Sequence, residues 1–191
     1  MIHASAYIHP NALVEKDVTI GPGTNIWAFC HVLSGAVIGS DCNICDHTFI
    51  EGNVRVGNRV TIKSGVYLWD GIVVEDNVFI GPCAAFTNDK VPRSKQYPEQ
   101  YPDLILGHGS SIGANATVLP GITIGKMAMI GAGSVVTHDI PDYALVYGNP
   151  AKHKGWVCQC GNKVVFPESD IGICDCGKKY KKNADIVVEI E

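Results

Sequence analysis

Two polar side chains, Asp70 and Asn88, stand eighteen residues apart, and the second opens the stretch Thr87-Asn88-Asp89-Lys90-Val91-Pro92-Arg93-Ser94-Lys95-Gln96-Tyr97-Pro98. A carboxylate, an amide, a guanidinium, an ammonium and a phenol gathered in this way could hold and orient a polar ligand by hydrogen bonds and charge. Asp70 and Asn88 could equally serve as Asx residues that satisfy backbone groups of a tight corner. Farther along, Cys158-Gln-Cys160-Gly and Cys174-Asp-Cys176-Gly form two short knuckles. Together Cys158, Cys160, Cys174 and Cys176 could supply four thiolates to a tetrahedral Zn²⁺. Their one-residue spacer is tighter than the usual two, so two disulfides or free thiols stay open as alternatives, disulfides being disfavoured in a reducing compartment.

The elements that must position these groups are written in a period of six. From Ile8 to Phe86 every sixth residue is large and apolar (Ile8, Val14, Ile20, Ile26 and onward without exception), and a small or β-branched residue stands two positions before each. The pattern resumes from Leu106 through Ile112, Val118, Ile124 and Ile130 to Val136. Six is neither the helical 3.6 nor plain alternation; it marks short flat strands joined by tight corners, three to a turn, which is a hexapeptide parallel β-helix. A sandwich would scatter its turn spacing instead. Glycine follows the large residue at Gly21, Gly39, Gly57, Gly81, Gly107, Gly113, Gly125 and Gly131, where corners favour φ > 0 or close backbone approach. Phe86 to Leu106 spans one hexad plus fourteen residues, so a long loop must leave the coil there. Residues eighteen apart stack on one corner about 4.8 Å from each other, the inter-strand distance. Lys16, Ser34, Gly52, Asp70 and Asn88 form one such column, so Asp70 and Asn88 are expected side by side at the root of the loop.

The chain has 191 residues, 46% of them hydrophobic, enough for one domain, read as residues 1–155, plus a small Cys-knuckle appendage at 156–191 that covers one end of the solenoid. A net charge of −4 gives no basic field to attract nucleic acid. No apolar run reaches membrane-spanning length and the N-terminus lacks the layout of a secretion signal, so a soluble, cytoplasmic protein is expected. Of the other cysteines, Cys30 and Cys42 fall on inward positions, where a thiol serves as a small hydrophobe.

The hexad body resembles the left-handed β-helix acyltransferases, which implies left-handed winding, a homotrimer, and acetyl-CoA bound in the groove between subunits. Asn43-Ile-Cys-Asp-His47, Thr61-Ile-Lys-Ser-Gly65, Leu68-Trp-Asp-Gly71, Phe86-Thr-Asn-Asp89, Pro92-Arg-Ser-Lys95 and Tyr97-Pro-Glu99 look like the sugar-nucleotide N-acetyltransferases. Ser111-Ile-Gly-Ala-Asn-Ala-Thr117 and the run from Pro141 to Lys152 agree. Over residues 8–156 the likeness is nearest to enzymes that acetylate the 3-amino group of dTDP-3-amino-3,6-dideoxyhexoses, sugars of surface polysaccharides such as O-antigens and S-layer glycans. A related group acting on UDP-2-acetamido-3-amino-2,3-dideoxyglucuronate shares the Thr-Asn and Pro-Arg pairs and is the alternative substrate.

The resemblance implies that Asn88 holds the amine or its neighbouring hydroxyl and that Asp70 fixes the sugar. A carboxylate beside an ammonium raises its pKa and slows attack, so Asp70 suits orientation better than base catalysis. Arg93 and Lys95 would neutralise the diphosphate, or remain solvated loop charges. Tyr97, His31 and His47 are candidate substrate contacts, although histidines in such a body also serve as hydrogen-bonded structural residues. Gly113, Ala114 and Ala132 would let a pantetheine arm reach backbone amides, with corner geometry as the plain alternative. Lys152 and Lys154 could meet the CoA phosphates. No histidine matches a catalytic-base motif, which points to catalysis by positioning, with the departing sulfur or a water receiving the proton. A γ-type carbonic anhydrase would need converging histidines that are missing here, and an ice-binding solenoid a threonine ladder. A non-catalytic scaffold is a further alternative, though it gives no reason for the loop.

Overall fold

A computed structural model describes residues 1–167, 169–184 and 186–190. The chain winds as a parallel β-helix of triangular section. Its strands, most of them two residues long, form three faces, and each face gains one strand per coil. The first face starts with Tyr7–Ile8, the second with Leu13–Val14 and the third with Thr19–Ile20. In-register pairing eighteen residues apart runs through each of them, as in Asn25↔Asn43 on the first, His31↔Phe49 on the second and Val37↔Arg55 on the third.

The period of six follows from the period of two within each strand. In Thr24-Asn25-Ile26 the first and last residues are buried and the middle one half-exposed, because successive side chains alternate faces. The small inward residue packs near a corner and the large one fills the centre, so Ile26, Ile44, Ile62, Ile80, Ile112 and Ile130 make one continuous buried stack. Cys30 and Cys42 are buried on inward positions, and burial pushes both thiols above their ordinary pKa.

The glycines that follow the large residues are needed for close approach. A Cβ on Gly39 would lie 2.5 Å from the carbonyl oxygen of Gly57, and one on Gly113 would lie 2.4 Å from the amide nitrogen of Ala132. Left-handed backbone falls elsewhere on the corners, and often on residues other than glycine, such as Phe29 (φ 60°) and His47 (φ 60°).

After Phe86 the register is interrupted: Val73 pairs with Ile105 across thirty-two residues, eighteen plus the fourteen of the loop. The loop leaves from the corner between the second and third faces and returns to the same corner. Beyond the last coil, Ala144–Tyr147 pairs antiparallel with Lys152–Val157, which pairs with Lys163–Val164, so these hairpins cover the open edge of the first face. A separate three-stranded antiparallel sheet follows (Ile171–Ile173, Lys179–Asn183, Ile186–Ile190). Its fully buried Tyr180 sets its ring 5.3 Å from that of Tyr143 on the final coil. Among the described residues no helix is long and apolar enough to cross a membrane.

Candidate active site

Asp70 and Asn88 each follow a strand of the second face by two residues, and the pairing of Tyr67 with Ala85 places them on one corner column, one coil apart. Their side chains face different cavities. Asn88 is half-buried and joins Lys90, Gln96, Tyr97, Gln100 and Pro102 around a space of about 390 Å³ under the loop. Asp70 lies beside Asn53, Glu99, Gln100 and Tyr101 at a second space of about 270 Å³. One carboxylate oxygen of Asp70 accepts the Asn53 N–H at 2.9 Å, while its own N–H donates to Glu51 at 2.6 Å. Asp70 thus ties the corner to the preceding coil and still borders a cavity. The corner-satisfying role expected of an Asx residue is therefore met.

The loop is organised by local polar bonds. Asp89 accepts the Val91 N–H at 2.8 Å, and a small antiparallel bridge joins Arg93 to Gln96. Tyr97 borders the Asn88 cavity. Arg93 and Lys95 are exposed at the bridge, outside the lining of that cavity.

A third cavity continues along the same prism edge toward the C-terminal coils. It holds about 730 Å³ between Asp89 and Lys90 of the loop, an apolar floor of Leu119, Pro120 and Ile122, and a rim of Thr137, His138 and Asp139. Lys90 and Asp89 border both this groove and the Asn88 cavity. Leu119, Ile122 and Thr137 were not legible as groove residues, because they meet Lys90 of the loop only through the stacking of separate coils. The expected cofactor residues Gly113, Ala114 and Ala132 occupy the corner between the first and second faces, across the second face from this groove. Lys152 and Lys154 lie on the strand that covers the last coil, with the Lys154 ammonium 5.3 Å from the centre of the Tyr147 ring.

His31 and His47 belong to an aromatic surface on the second face. His31 bonds Glu15 at 2.9 Å, and this bond and the Ser34 N–H hold the Glu15 carboxyl below its usual pKa. Phe29, Phe49, Tyr67 and Trp69 join the two histidines around a shallow space of about 430 Å³.

The four knuckle cysteines converge, with all sulfurs within 4.8 Å of one another. Cys158 and Cys176 are 3.4 Å apart and Cys160 and Cys174 3.5 Å, so neither pair forms a disulfide. A Zn–S bond of about 2.3 Å in a tetrahedron requires sulfurs about 3.8 Å apart, so the cluster fits that ion. Burial opposes ionisation of Cys158, yet the Cys160 N–H, the Tyr180 hydroxyl and neighbouring thiols bring it down to about 7. At Cys174 the Cys176 N–H favours the thiolate, but burial and the surrounding thiols push it up to about 12. The first thiolate therefore discourages the next, a conflict that a bound dication removes.

Residues 1–101 match the family described as GMPPB C-terminal domain, and residues 103–138 match the bacterial transferase hexapeptide family of six repeats. The chain is 56% identical over 186 residues to dTDP-3-amino-3,6-dideoxy-alpha-D-galactopyranose 3-N-acetyltransferase of Aneurinibacillus thermoaerophilus, covering 97% of this chain and 96% of that protein. Two solved structures share the fold at lower identity. UDP-N-acetylglucosamine acyltransferase from Campylobacter jejuni is 18% identical with a TM-score of 0.53, over 82% of this chain and 75% of that one. A mutant of AntD, an N-acyltransferase from Bacillus cereus in complex with dTDP and coenzyme A, is 20% identical with a TM-score of 0.51, over 81% and 83%. With its hexapeptide coils, its interrupted register and 56% identity to that Aneurinibacillus enzyme over nearly the whole of both chains, the chain belongs to the left-handed β-helix family of dTDP-amino-sugar N-acetyltransferases.

Proposed function

We propose that this chain transfers the acetyl group of acetyl-CoA to the 3-amino group of a dTDP-3-amino-3,6-dideoxyhexose, the chemistry for which its 56% identical relative is named. One observation favours this reading above the others. Along a single prism edge, polar cavities beside Asp70 and Asn88 adjoin an apolar groove, with Lys90 and Asp89 bordering both the Asn88 cavity and the groove. A sugar amine and a thioester arm would meet there from opposite directions.

In the reaction the uncharged amine attacks the thioester carbonyl, the N–C bond forms, and the tetrahedral oxyanion collapses by breaking the C–S bond. The protein's share is positioning. Asn88 holds the amine or the adjacent hydroxyl. Asp70, one oxygen of which is already engaged by Asn53, orients the sugar from the neighbouring coil. The ammonium-like proton passes to the departing thiolate or to water, so no side chain need act as a base. Tyr97 closes over the sugar, Arg93 and Lys95 face the diphosphate, and His31 and His47 contact the nucleotide. The pantetheine arm lies in the groove floored by Leu119 and Ile122, and Gly113, Ala114, Ala132, Lys152 and Lys154, of which the first three stand on another prism edge, meet CoA from a neighbouring subunit of the trimer.

The remaining features are part of the same proposal. Residues 1–155 form the catalytic body and 156–191 an appendage whose four cysteines hold a structural Zn²⁺. The protein works as a cytoplasmic homotrimer with no nucleic-acid partner. Light scattering is expected to give three times the 20.5 kDa chain mass.

Acetyl-CoA is to be incubated with dTDP-3-amino-3,6-dideoxygalactose, its gluco epimer and the UDP-linked 3-amino-glucuronate, following thiol release and the product mass. Transfer to a dTDP sugar is expected. Preference for the UDP substrate would move the assignment to the alternative, and no transfer to any of them would favour a scaffold. An Asn88→Ala protein with full turnover would remove the role given to that residue.

A further inference from the structure

The aromatic surface of the second face is built at a local cost. Phe29 and His47 both adopt left-handed backbone, in the corner column that Gly65 occupies one coil later. A side chain there costs on the order of 1 kcal/mol relative to glycine. The two rings stack at a centroid distance of 5.0 Å and an interplanar angle of 17°. Beside them Phe49 meets Trp69 at 5.7 Å and Tyr67 at 6.2 Å. The prism core is filled by the inward residues, and of the outward rings Trp69 also packs against it. Phe29 is 57% exposed and Tyr67 50%. Left-handed backbone recurs at corners on residues as varied as Asp17, Arg59 and Met127, so the distinctive feature here is that two successive corners of one column carry parallel rings at the surface.

The chemistry of the surface narrows its ligand. Rings form the walls, and polarity is limited to the Glu15–His31 pair, the His47 imidazole, Thr48 and the Tyr67 hydroxyl. Among the described residues no lysine or arginine lines it, which disfavours a diphosphate, and the exposed π faces suit a flat heterocycle with polar edges. Position supplies the second constraint. Trp69 forms one wall next to Asp70 and donates its indole N–H at 2.7 Å to the carbonyl of Phe86, two residues before Asn88. From the coil of Phe49 to that of Asn88 is two steps, about 10 Å along the axis. That span is bridged by a diphosphate and a sugar.

We infer that this surface is the platform for the pyrimidine base of the sugar nucleotide, stacked against Phe29, His47 and Phe49, with Trp69 directing the rest of the molecule toward Asp70 and Asn88. The inference rests on the acetyltransferase reading for the identity of the ligand. It places base, sugar and thioester in that order along the solenoid.

Binding can be read without turnover. The probes are dTDP, UDP and inorganic pyrophosphate, followed by saturation-transfer NMR and by fluorescence in a protein whose other tryptophans, Trp27 and Trp156, are changed to phenylalanine. The nucleotides are expected to quench Trp69 and to show saturation of the base protons, whereas pyrophosphate leaves Trp69 unchanged. Phe49→Ala should weaken dTDP binding about tenfold, within the range that loss of one base-stacking ring produces. It should raise KM for the sugar nucleotide by a similar factor, with kcat within twofold and KM for acetyl-CoA unchanged. Phe29→Gly relieves the left-handed backbone, so its Tm should equal or exceed that of the wild type while dTDP binding still falls. A purely structural role predicts the opposite pairing. Wild-type dTDP affinity in both variants overturns the platform. So does loss of oligomer mass with unchanged affinity per folded chain, which would make the rings a contact with a second copy. If dTDP binds as described but no dTDP amino sugar is acetylated, the platform stands and the enzymatic reading fails.

Discussion

Alanine in place of glycine should harm this fold by two separable mechanisms, and one corner offers both. A Cβ on Gly113 would sit 2.4 Å from the Ala132 nitrogen and 2.7 Å from the Ile130 oxygen. Ordinary carbon contacts begin near 3.5 Å, so adjacent coils must part by about 1 Å. The Gly113 N–H to Ile130 bond, 2.8 Å long, would then stretch beyond hydrogen-bonding range. Overpacking of about 2 kcal/mol plus about 1 kcal/mol for the bond gives a loss of about 3 kcal/mol. Gly133 lies one coil on at the same corner, has nothing within 4 Å of its would-be Cβ, and carries φ +68°. There alanine meets only the left-handed penalty, about 1 kcal/mol. For a chain of this size each kcal/mol moves Tm by about 2–4 °C, so Gly113→Ala should fall by about 6–12 °C and Gly133→Ala by about 2–4 °C. Circular dichroism melts at one scan rate would measure both. Equal losses, or a larger one at Gly133, would refute the view that stacking distance rather than backbone angle dictates the post-strand glycines.

Three other outcomes are expected. Ile62→Ala empties the middle of the buried isoleucine stack and should cost about 2–5 kcal/mol in urea unfolding, with the far-ultraviolet spectrum unchanged. Tyr180→Phe keeps the ring against Tyr143 but removes the hydroxyl that donates to Cys158 at 3.1 Å, so competition with a chromophoric chelator should show Zn²⁺ affinity lowered about 10–100-fold. The Asp76 carboxyl is held below its usual pKa by the Asn58 backbone N–H and side-chain amide, with a lesser contribution from Arg59. Its stabilisation is complete above its unfolded pKa of about 3.9 and is lost as pH falls through the lower folded value, so Asp76→Asn should flatten the acid limb of the stability curve below about pH 4.

The architecture could be read from the chain because each coil repeats the same demand: an inward small residue, an outward one, an inward large one. The fourteen surplus residues before Leu106 reappear as the loop, and four cysteines in two knuckles reappear as one cluster. The site was only partly legible. The eighteen-residue step put Asp70 and Asn88 on one column, but not the bond that turns Asp70 toward Asn53. Groove residues such as Leu119 and Thr137 meet Lys90 only after separate coils stack, and no local pattern marks them. Outward positions are free of the hexad rule, so Phe49 and Tyr67 carry no periodic signal although they shape the surface beside His31.

The excursion departs and rejoins at one corner, and the rungs on either side of it pair as if it were not there: Ala85 with Thr117 above, Ile72 with Leu104 beside. Its length is therefore decoupled from the scaffold. Residues could be added or removed between Asp89 and Tyr101 without displacing a single strand, so recognition of a new sugar would call for remodelling one appended segment while the column that bears its weight stays fixed.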